Sequence, residues 1–150
     1  MLKVEVVFGH FNFFSYICNM NIIKETFKKY TAYRLLLENG VKVGKIYVEK
    51  EEKFSDIPTY KGKKTLYIYN FGIYREFRGE GYGKKLLAEI LKRYKGKYDV
   101  IHLDACPTYG APNILSMEQL INFYASFGFK IYKKKEEYTV MVLTKNGARN

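Results

Sequence analysis

The chain of 150 residues is 47% hydrophobic and contains 15 tyrosines and 11 phenylalanines, which is enough apolar material for a core and excludes an intrinsically disordered protein. Its length suits a single domain, residues 1–150, better than two domains. Its 26 lysines and arginines against 15 acids leave a net charge of +11, which favours nucleic acid, anionic membrane or a phosphate-rich small molecule as a partner without choosing among them.

Cysteine and histidine are scarce, and the sequence has only Cys18, Cys106, His10 and His102. This set contains no disulfide framework and no metal-ligand spacing. The first ten residues lack the apolar run of a signal peptide, and no stretch approaches the length of a membrane span. We therefore expect a cytoplasmic protein with reduced thiols, no metal and no membrane contact, either a monomer or a homodimer.

Seven segments are predicted to be β-strands, because they are rich in β-branched and aromatic residues and are bounded by turn residues. They are Leu2–Phe8, Tyr33–Leu37, Val41–Val48, Thr65–Tyr74, Val100–Ala105, Phe129–Tyr132 and Tyr138–Leu143. The second and third flank Asn39-Gly40, a sequence typical of a two-residue type I′ hairpin turn. Residues 50–64 are charged and are predicted to form a loop. Thr65–Tyr74 is apolar on both faces, which predicts a central strand.

Three helices are predicted between these strands. The apolar residues of 10–30 fit neither period well, and we favour a helix over Asn21–Lys29. After the central strand, apolar residues recur with helical spacing until Gly96, which suits a helix end. The third helix opens at Ser116, whose Ser-x-x-Gln pattern is a capping box, and closes at Gly128. Strands alternating with helices predict a mixed α/β fold in one layered domain.

The segment REFRGEGYGKKLL places three glycines at alternate positions, where the central strand gives way to a helix. The P-loop pattern fails, because Arg78 stands at its first glycine and Lys85 at its hydroxyl residue. The dinucleotide fingerprint fails as well, because Lys84 stands at its last glycine. The first N–H groups of a helix have no intrahelical acceptor and carry the positive end of the helix dipole, and glycines let a phosphate approach them. The pattern therefore predicts a pyrophosphate site.

Two stretches together resemble the GCN5-related N-acetyltransferase (GNAT) superfamily. GIYREFRGEGYGKKLL resembles the acetyl-CoA signature Arg/Gln-x-x-Gly-x-Gly/Ala, and INFYASFGFK resembles the later Phe-Tyr-x-x-x-Gly-Phe stretch. The resemblance covers about Leu66 to Phe129 and, more loosely, the whole strand order. It implies a mixed, mostly antiparallel central sheet flanked by helices. It also implies transfer of an acetyl group from acetyl-CoA to a primary amine, by direct attack in a ternary complex.

The resemblance also implies which residues bind acetyl-CoA. Backbone groups of Phe71, Gly72 and Ile73 would pair with the pantetheine amides like an added strand. The backbone amides around the pyrophosphate would come from the turn and the helix start: Gly79, Glu80, Gly81, Tyr82, Gly83 and Lys84. The charges of Lys84 and Lys85 would attract the phosphates or merely be solvated. Arg78 would either contact phosphate or only cap the turn.

The resemblance assigns Tyr124 as the general acid that protonates the leaving thiolate. A model tyrosine has a pKa of about 10 and a thiol about 8.5, so a positioned tyrosine can donate a proton to the departing sulfur. The alternative is that Tyr124 only packs in the apolar stripe of its helix. Leu103-Asp104-Ala105 is similar to a family strand that carries a glutamate, so Asp104 is the candidate base, directly or through water, with His102 as a relay. The alternative is that Asp104 accepts hydrogen bonds from nearby backbone. A Cys106–His102 nucleophile is excluded, because four residues of strand separate them by about 13 Å.

The sequence departs from the family at one motif. Many relatives carry an asparagine that helps to bind the cofactor, and Met117 and Leu120 stand in that motif instead. Asn113, in the loop 106–116, is a candidate substitute, and this loop is expected to shape substrate choice. The acceptor amine stays open among peptide N-terminus, lysine, polyamine, aminoglycoside and aminoacyl-tRNA.

Two other functions stay open: a nucleic-acid-directed version of the fold, acetylating aminoacyl-tRNA or binding RNA, and a CoA-binding regulator without turnover. The run Lys133–Lys135 is followed directly by Glu136 and Glu137, and no nucleic-acid-binding signature occurs. We therefore expect nucleic acid to bind weakly, without sequence preference, and to be released by salt.

Overall fold

The computed structural model describes residues 3–8, 20–51, 60–107 and 115–145, and the chain divides into two compact units. The first unit comprises Met1–Glu49 and Asn70–Ile90, and the second comprises Lys50–Tyr69 and Leu91–Asn150. The helices and strands are, in chain order, β1 (Lys3–Phe8), β2 (Asn21–Thr26), β3 (Tyr30–Leu36), β4 (Lys42–Glu51), β5 (Thr65–Ile73), α1 (Tyr82–Tyr94), β6 (Val100–Ala105), α2 (Met117–Ala125), β7 (Lys130–Lys134) and β8 (Thr139–Thr144).

In the first unit, strands β1 to β4 form an antiparallel meander. Ile22 of β2 pairs with Leu35 of β3, and Tyr33 of β3 pairs with Ile46 of β4. All four side chains are buried. Because residues that pair across antiparallel strands share a face, these side chains form one apolar face of the meander. The apolar stripe of α1 in this unit is also buried, at Leu86, Leu87 and Ile90.

The predicted helix over Asn21–Lys29 is wrong, because most of this segment is strand β2. Residues 10–19, the start of the ambiguous stretch, lie outside the described residues. β2 pairs with β1 on one side and with β3 on the other, and Arg34 Nε donates to Glu25 Oε2 across β2 and β3 at 3.0 Å. The apolar pattern of this segment indicates neither helix nor strand, and pairing with two neighbouring strands determines its conformation.

The hairpin between β3 and β4 is confirmed, but its predicted type I′ turn is wrong. Type I′ requires positive φ at both central residues, and at Asn39-Gly40 only Gly40 has it, with φ of 82°. The Gly40 N–H donates to the Leu37 carbonyl, and the Leu37 N–H donates to the Val41 carbonyl, both at 2.9 Å. The connection is therefore a longer loop that ends in a left-handed glycine.

In the second unit the strand order is β5-β6-β8-β7. β5 and β6 are parallel, from Thr65–Val100 to Ile68–Leu103, whereas β8 is antiparallel to both β6 and β7. Helix α2 packs against β6 and β7 and begins at the predicted capping box of Ser116 and Gln119. The expected α/β fold with a mixed, mostly antiparallel sheet is confirmed. Among the described residues, neither α1 nor α2 has the length and apolar composition of a membrane-spanning helix.

Candidate active site

The glycine-rich segment forms an open turn that leads into α1. A short 3₁₀ turn, Arg75–Phe77, follows β5, and then Gly79 and Gly81 adopt φ of 81° and 82°. A Cβ at either glycine would meet no atom of the described residues within 4 Å, so packing against them does not explain the absence of side chains. What both positions need is the left-handed backbone, which costs other residues roughly 1–2 kcal/mol.

The first turn of α1 carries the positive end of the helix dipole. The Lys85 N–H makes the first helical hydrogen bond, to the Gly81 carbonyl at 3.2 Å. The N–H groups that precede it in the helix therefore have no acceptor inside the helix. The first turn has no acidic residue, and Lys84 is exposed, so nothing in that turn offsets the positive end of the helix dipole. These features suit an anion such as the predicted pyrophosphate.

The end of β5 is held against β4 and beneath α1. A Cβ on Gly44 of β4 would lie 2.7 Å from the Gly72 carbonyl oxygen, so this approach of the two backbones requires glycine. A Cβ on Gly83 of α1 would lie 3.5 Å from Ile73 Cγ1 and 3.7 Å from Phe71 Cζ. The structure therefore brings together, in the first unit, the predicted pantetheine segment Phe71–Ile73 and the turn and helix start that follow it.

Asn70, immediately before the predicted pantetheine segment, has a φ of 49°. It is the one non-glycine residue with positive φ in the described part of the chain. Such a conformation costs on the order of 1 kcal/mol and interrupts the regular alternation of a strand. It sets the backbone direction of Phe71 and Gly72. Asparagine tolerates positive φ better than most residues, but a strand-like sequence does not indicate where this conformation occurs.

Arg78 caps the turn. Its Nε donates to the Ile73 carbonyl at 2.9 Å, and its backbone N–H donates to the Arg75 carbonyl at 3.3 Å. The first of these bonds ties the end of β5 to the turn that leads into α1. Of the two roles considered for Arg78, the capping role is observed, and contact with phosphate stays a prediction.

In the second unit, Tyr67 of β5 contacts both polar residues of β6. Its hydroxyl donates to Asp104 Oδ2 at 3.1 Å, and its ring stacks on the His102 ring with centroids 4.8 Å apart. His102 is only 4% exposed, whereas Asp104 is exposed. His102 and Asp104 thus share one face of β6, as residues two apart in a strand do. Asp104 accepts a hydrogen bond from a side chain. The alternative interpretation of Asp104 expects hydrogen bonds from nearby backbone instead.

Tyr67 is the residue that the sequence reasoning missed. The signal for it was present, because two buried strands joined by a helix are expected to lie parallel. Alternate residues of neighbouring strands then share a face. The observed register pairs Tyr67 with His102, and Asp104, two residues further along β6, lies within reach of the Tyr67 hydroxyl. Cys106 follows the end of β6, where it is exposed.

Tyr124 lies on α2 and is buried, with 8% of its surface exposed. Its ring lies edge-on to those of Phe123 and Phe129, at 5.2 Å and 6.1 Å between centroids. Burial raises the pKa of Tyr124 to about 12. The side chain therefore packs as the alternative interpretation requires, and it also holds its proton throughout the physiological range. Asn113, the candidate substitute for the family asparagine, lies outside the described residues.

Comparison with known proteins agrees with this arrangement. A family model described as an acetyltransferase (GNAT) domain matches residues 30–131. The chain is 32% identical to N-alpha-acetyltransferase 50 of Danio rerio over 80 residues, which are 52% of this chain and 43% of that protein. The chain thus spans less than half the length of this curated relative.

Solved structures with the same fold include PH1933 from Pyrococcus horikoshii OT3, with 28% identity, a TM-score of 0.57, and coverage of 77% of this chain and 65% of that one. Arabidopsis thaliana NAA60, in complex with a bisubstrate analogue, has 17% identity, a TM-score of 0.59, and coverage of 79% and 77%. The family model covers both motifs and more than half of the chain. The chain therefore belongs to the GNAT family of acetyltransferases.

Proposed function

We propose that the chain transfers the acetyl group of acetyl-CoA to a primary amine by direct attack in a ternary complex. The observation that carries this proposal is the open, left-handed turn at Gly79 and Gly81, which leads into a helix whose first turn has no acidic residue. Packing against the described residues does not explain why both positions lack a side chain, whereas an anion bound at the helix N-terminus does.

In this proposal the backbone from Gly79 to Lys84 binds the pyrophosphate, and Arg78 keeps the turn in place through Ile73. Phe71, Gly72 and Ile73 bind the pantetheine amides through their backbone. The contact between Gly44 and Gly72 supports this role, because it fixes the end of β5 before any ligand arrives. Binding to a preformed strand end loses less conformational entropy than binding to a mobile loop.

The chemistry needs an acceptor for the amine proton and a donor for the leaving thiolate. We assign the first role to Asp104, acting directly or through water, and the second to Tyr124. As the amine nitrogen bonds to the thioester carbonyl carbon, Asp104 receives its proton. As the carbon–sulfur bond breaks, Tyr124 donates its proton to sulfur. Tyr67 is a positioning residue, because its hydroxyl holds the Asp104 carboxylate.

The name of the Danio rerio relative, an N-alpha-acetyltransferase, supports an α-amine as acceptor. A peptide N-terminus is therefore the first acceptor to test, ahead of lysine, polyamines and aminoglycosides. An α-amino group has a pKa of about 8, whereas a lysine side chain has about 10.4. A larger share of α-amine is already neutral at pH 7, so a single exposed carboxylate is a sufficient base.

The test is release of free CoA thiol from acetyl-CoA in the presence of a panel of amines, with mass spectrometry of each acceptor. The proposal predicts amine-dependent thiol release and an acetylated product for at least one class of amine. Binding of acetyl-CoA without amine-dependent release for any class would contradict the proposal and favour a CoA-binding regulator.

A further inference from the structure

Three segments of the second unit meet where β5 and β6 begin and β8 ends, and Asp99 joins them. The Asp99 N–H donates to the Lys64 carbonyl at 2.8 Å, and the Asp99 carbonyl accepts from the Lys145 N–H at 2.9 Å. The carboxylate Oδ2 of Asp99 accepts from the Lys64 N–H at 2.9 Å. The positions of the loops before β5 and β6 and of the end of β8 are therefore fixed relative to one another.

These three segments carry six exposed lysines, which we call the Asp99 lysine cluster: Lys61, Lys63, Lys64, Lys95, Lys97 and Lys145. In the described part of the chain, none of the six makes an ion pair with a carboxylate. The carboxylate of Asp99 lies among them, but it already accepts a backbone hydrogen bond. Six lysines on joined loops raise the local positive potential, and no carboxylate in the described residues forms an ion pair with them.

Two tyrosine rings support the cluster from below. Lys64 Nζ lies 5.2 Å from the centroid of Tyr98, and Lys97 Nζ lies 6.0 Å from that of Tyr94. The two rings meet edge-on at 5.7 Å, and Tyr98 is only 8% exposed. The rings hold lysine side chains at the surface through cation–π attraction, and the buried ring of Tyr98 offers no face on which a nucleic-acid base can stack.

The positive charge of the cluster and its lack of large exposed apolar side chains indicate which kind of partner it binds. Lysine side chains bind phosphate groups, and such contacts read no base sequence. Membrane binding is disfavoured, because an anionic bilayer surface also takes up apolar side chains. The large apolar side chains exposed in the described residues are Val41, Tyr74, Leu115 and Ile131, and none of them belongs to the cluster.

We infer that the Asp99 lysine cluster is a docking surface for the phosphate backbone of nucleic acid, used without sequence preference. The cluster lies outside the glycine-rich turn and contains neither Asp104 nor Tyr124. The inference therefore does not depend on acetyl transfer. It assigns a location to the non-specific, salt-sensitive binding that the net charge of +11 favours.

The test compares two triple variants of the full chain. Lys63→Gln, Lys95→Gln and Lys145→Gln remove one charge from each of the three segments and leave the lysines on the tyrosine rings intact. Lys28→Gln, Lys133→Gln and Lys134→Gln remove three exposed lysines elsewhere and serve as the matched control. Binding of a fluorescein-labelled RNA of mixed sequence is followed by anisotropy from about 50 to 200 mM KCl, the range over which phosphate contacts weaken steeply.

The cluster variant is expected to bind the RNA about tenfold or more weakly at the lowest salt, and to reduce the slope of log affinity against log salt by about 2. The control variant is expected to keep most of the affinity and slope. Equal loss in both variants, or no RNA binding at the lowest salt, would contradict the inference.

Two further measurements separate other sources of the signal. Displacement of the RNA by acetyl-CoA would mean that RNA occupies the glycine-rich turn, and would overturn the inference. Capture by phosphatidylserine vesicles with the same dependence on the three lysines, without RNA binding, would assign the cluster to membrane and would also overturn it. The inference predicts neither. Circular dichroism and thiol release are expected to be unchanged in both variants.

Discussion

The hydroxyl of Tyr67 donates a 3.1 Å hydrogen bond to Oδ2 of Asp104, between two parallel strands of the second unit. The Tyr67 ring at the same time stacks on His102, so the side chain is held at both its ring and its hydroxyl. A carboxylate that is to receive a proton from a reacting amine needs a defined orientation. The hydrogen bond from Tyr67 gives the Asp104 carboxylate this orientation, and two predictions depend on it.

Asp104→Asn keeps a hydrogen-bond acceptor for Tyr67 but removes the proton acceptor. We expect turnover of a basic amine to fall by roughly 10²–10⁴-fold, the range typical of a lost general base. The loss is expected to shrink for acceptors of lower pKa, because these are already partly neutral. Turnover measured against a series of amines of decreasing pKa checks this. An equal loss for every amine would indicate a structural role for Asp104.

Tyr67→Phe keeps the ring on His102 and removes only the hydroxyl. We expect kcat to fall by about tenfold, because the carboxylate is less well oriented, and KM for acetyl-CoA to stay unchanged. The control is the double variant with Asp104→Asn. In the absence of the Asp104 carboxylate, Tyr67→Phe is expected to lower kcat little further. Additive losses in the double variant would show that Tyr67 acts independently of Asp104.

Tyr124→Phe removes the proposed acid and keeps the packing against Phe123 and Phe129. Turnover is expected to fall by ~10²–10⁴-fold while the affinity for acetyl-CoA hardly changes. Burial raises the pKa of Tyr124 to about 12, so no high-pH loss of kcat from this residue is expected below about pH 11. Single-turnover kinetics make the chemical step visible. Unchanged single-turnover rates in Tyr124→Phe would leave Tyr124 as a packing residue.

The raised pKa of Tyr124 also predicts how stability depends on pH. Between about pH 10 and pH 12 the unfolded chain loses this proton while the folded chain keeps it. The folded state then binds more protons, so the free energy of unfolding decreases as pH rises through this window, and the effect is absent below it. Urea unfolding of the wild type and Tyr124→Phe at pH 8 and pH 11 checks this. The wild type is expected to lose more stability than the variant, whereas equal losses would contradict the burial of Tyr124.

The parts of the fold that the sequence predicts well are those with local signals. The continuous apolar run of β5, Gly96 after α1 and the capping box at Ser116 each depend on a few neighbouring residues, and the structure places each as expected. The glycine-rich turn belongs to the same class, because the need for positive φ at Gly79 and Gly81 acts on single residues.

The parts that could not be predicted depend on distant pairing. Segment 21–26 becomes strand β2 because β1 and β3 lie on either side of it, and this information is not contained in its own periodicity. The contact between Tyr67 and Asp104 depends on the register of β5 and β6, which the expectation of a parallel pair does not fix. Asparagine tolerates positive φ, but its neighbours in the sequence do not indicate that Asn70 adopts it within a strand. Residues at such positions become visible only after the strands have been paired.

The central claim is that the turn at Gly79 and Gly81 binds the pyrophosphate of acetyl-CoA. Gly81→Ala places a Cβ where the phosphate is expected to approach, at a φ of 82°. Gly96→Ala is the matched control, because Gly96 lies just past the other end of α1, also in open space, with a φ of 75°. Both variants carry a similar backbone strain of roughly 1–2 kcal/mol, so they differ chiefly in their distance from the proposed site.

The decisive measurement is isothermal titration of acetyl-CoA into the wild type and these two variants, with the free energy of unfolding measured in parallel. The account predicts that Gly81→Ala weakens binding by about 1.5–3 kcal/mol, roughly ten- to a hundredfold, as expected for lost hydrogen bonds to a charged group. Gly96→Ala is predicted to lose similar stability and to keep wild-type affinity. Wild-type affinity in a folded Gly81→Ala variant would contradict the assignment of this turn as the pyrophosphate site.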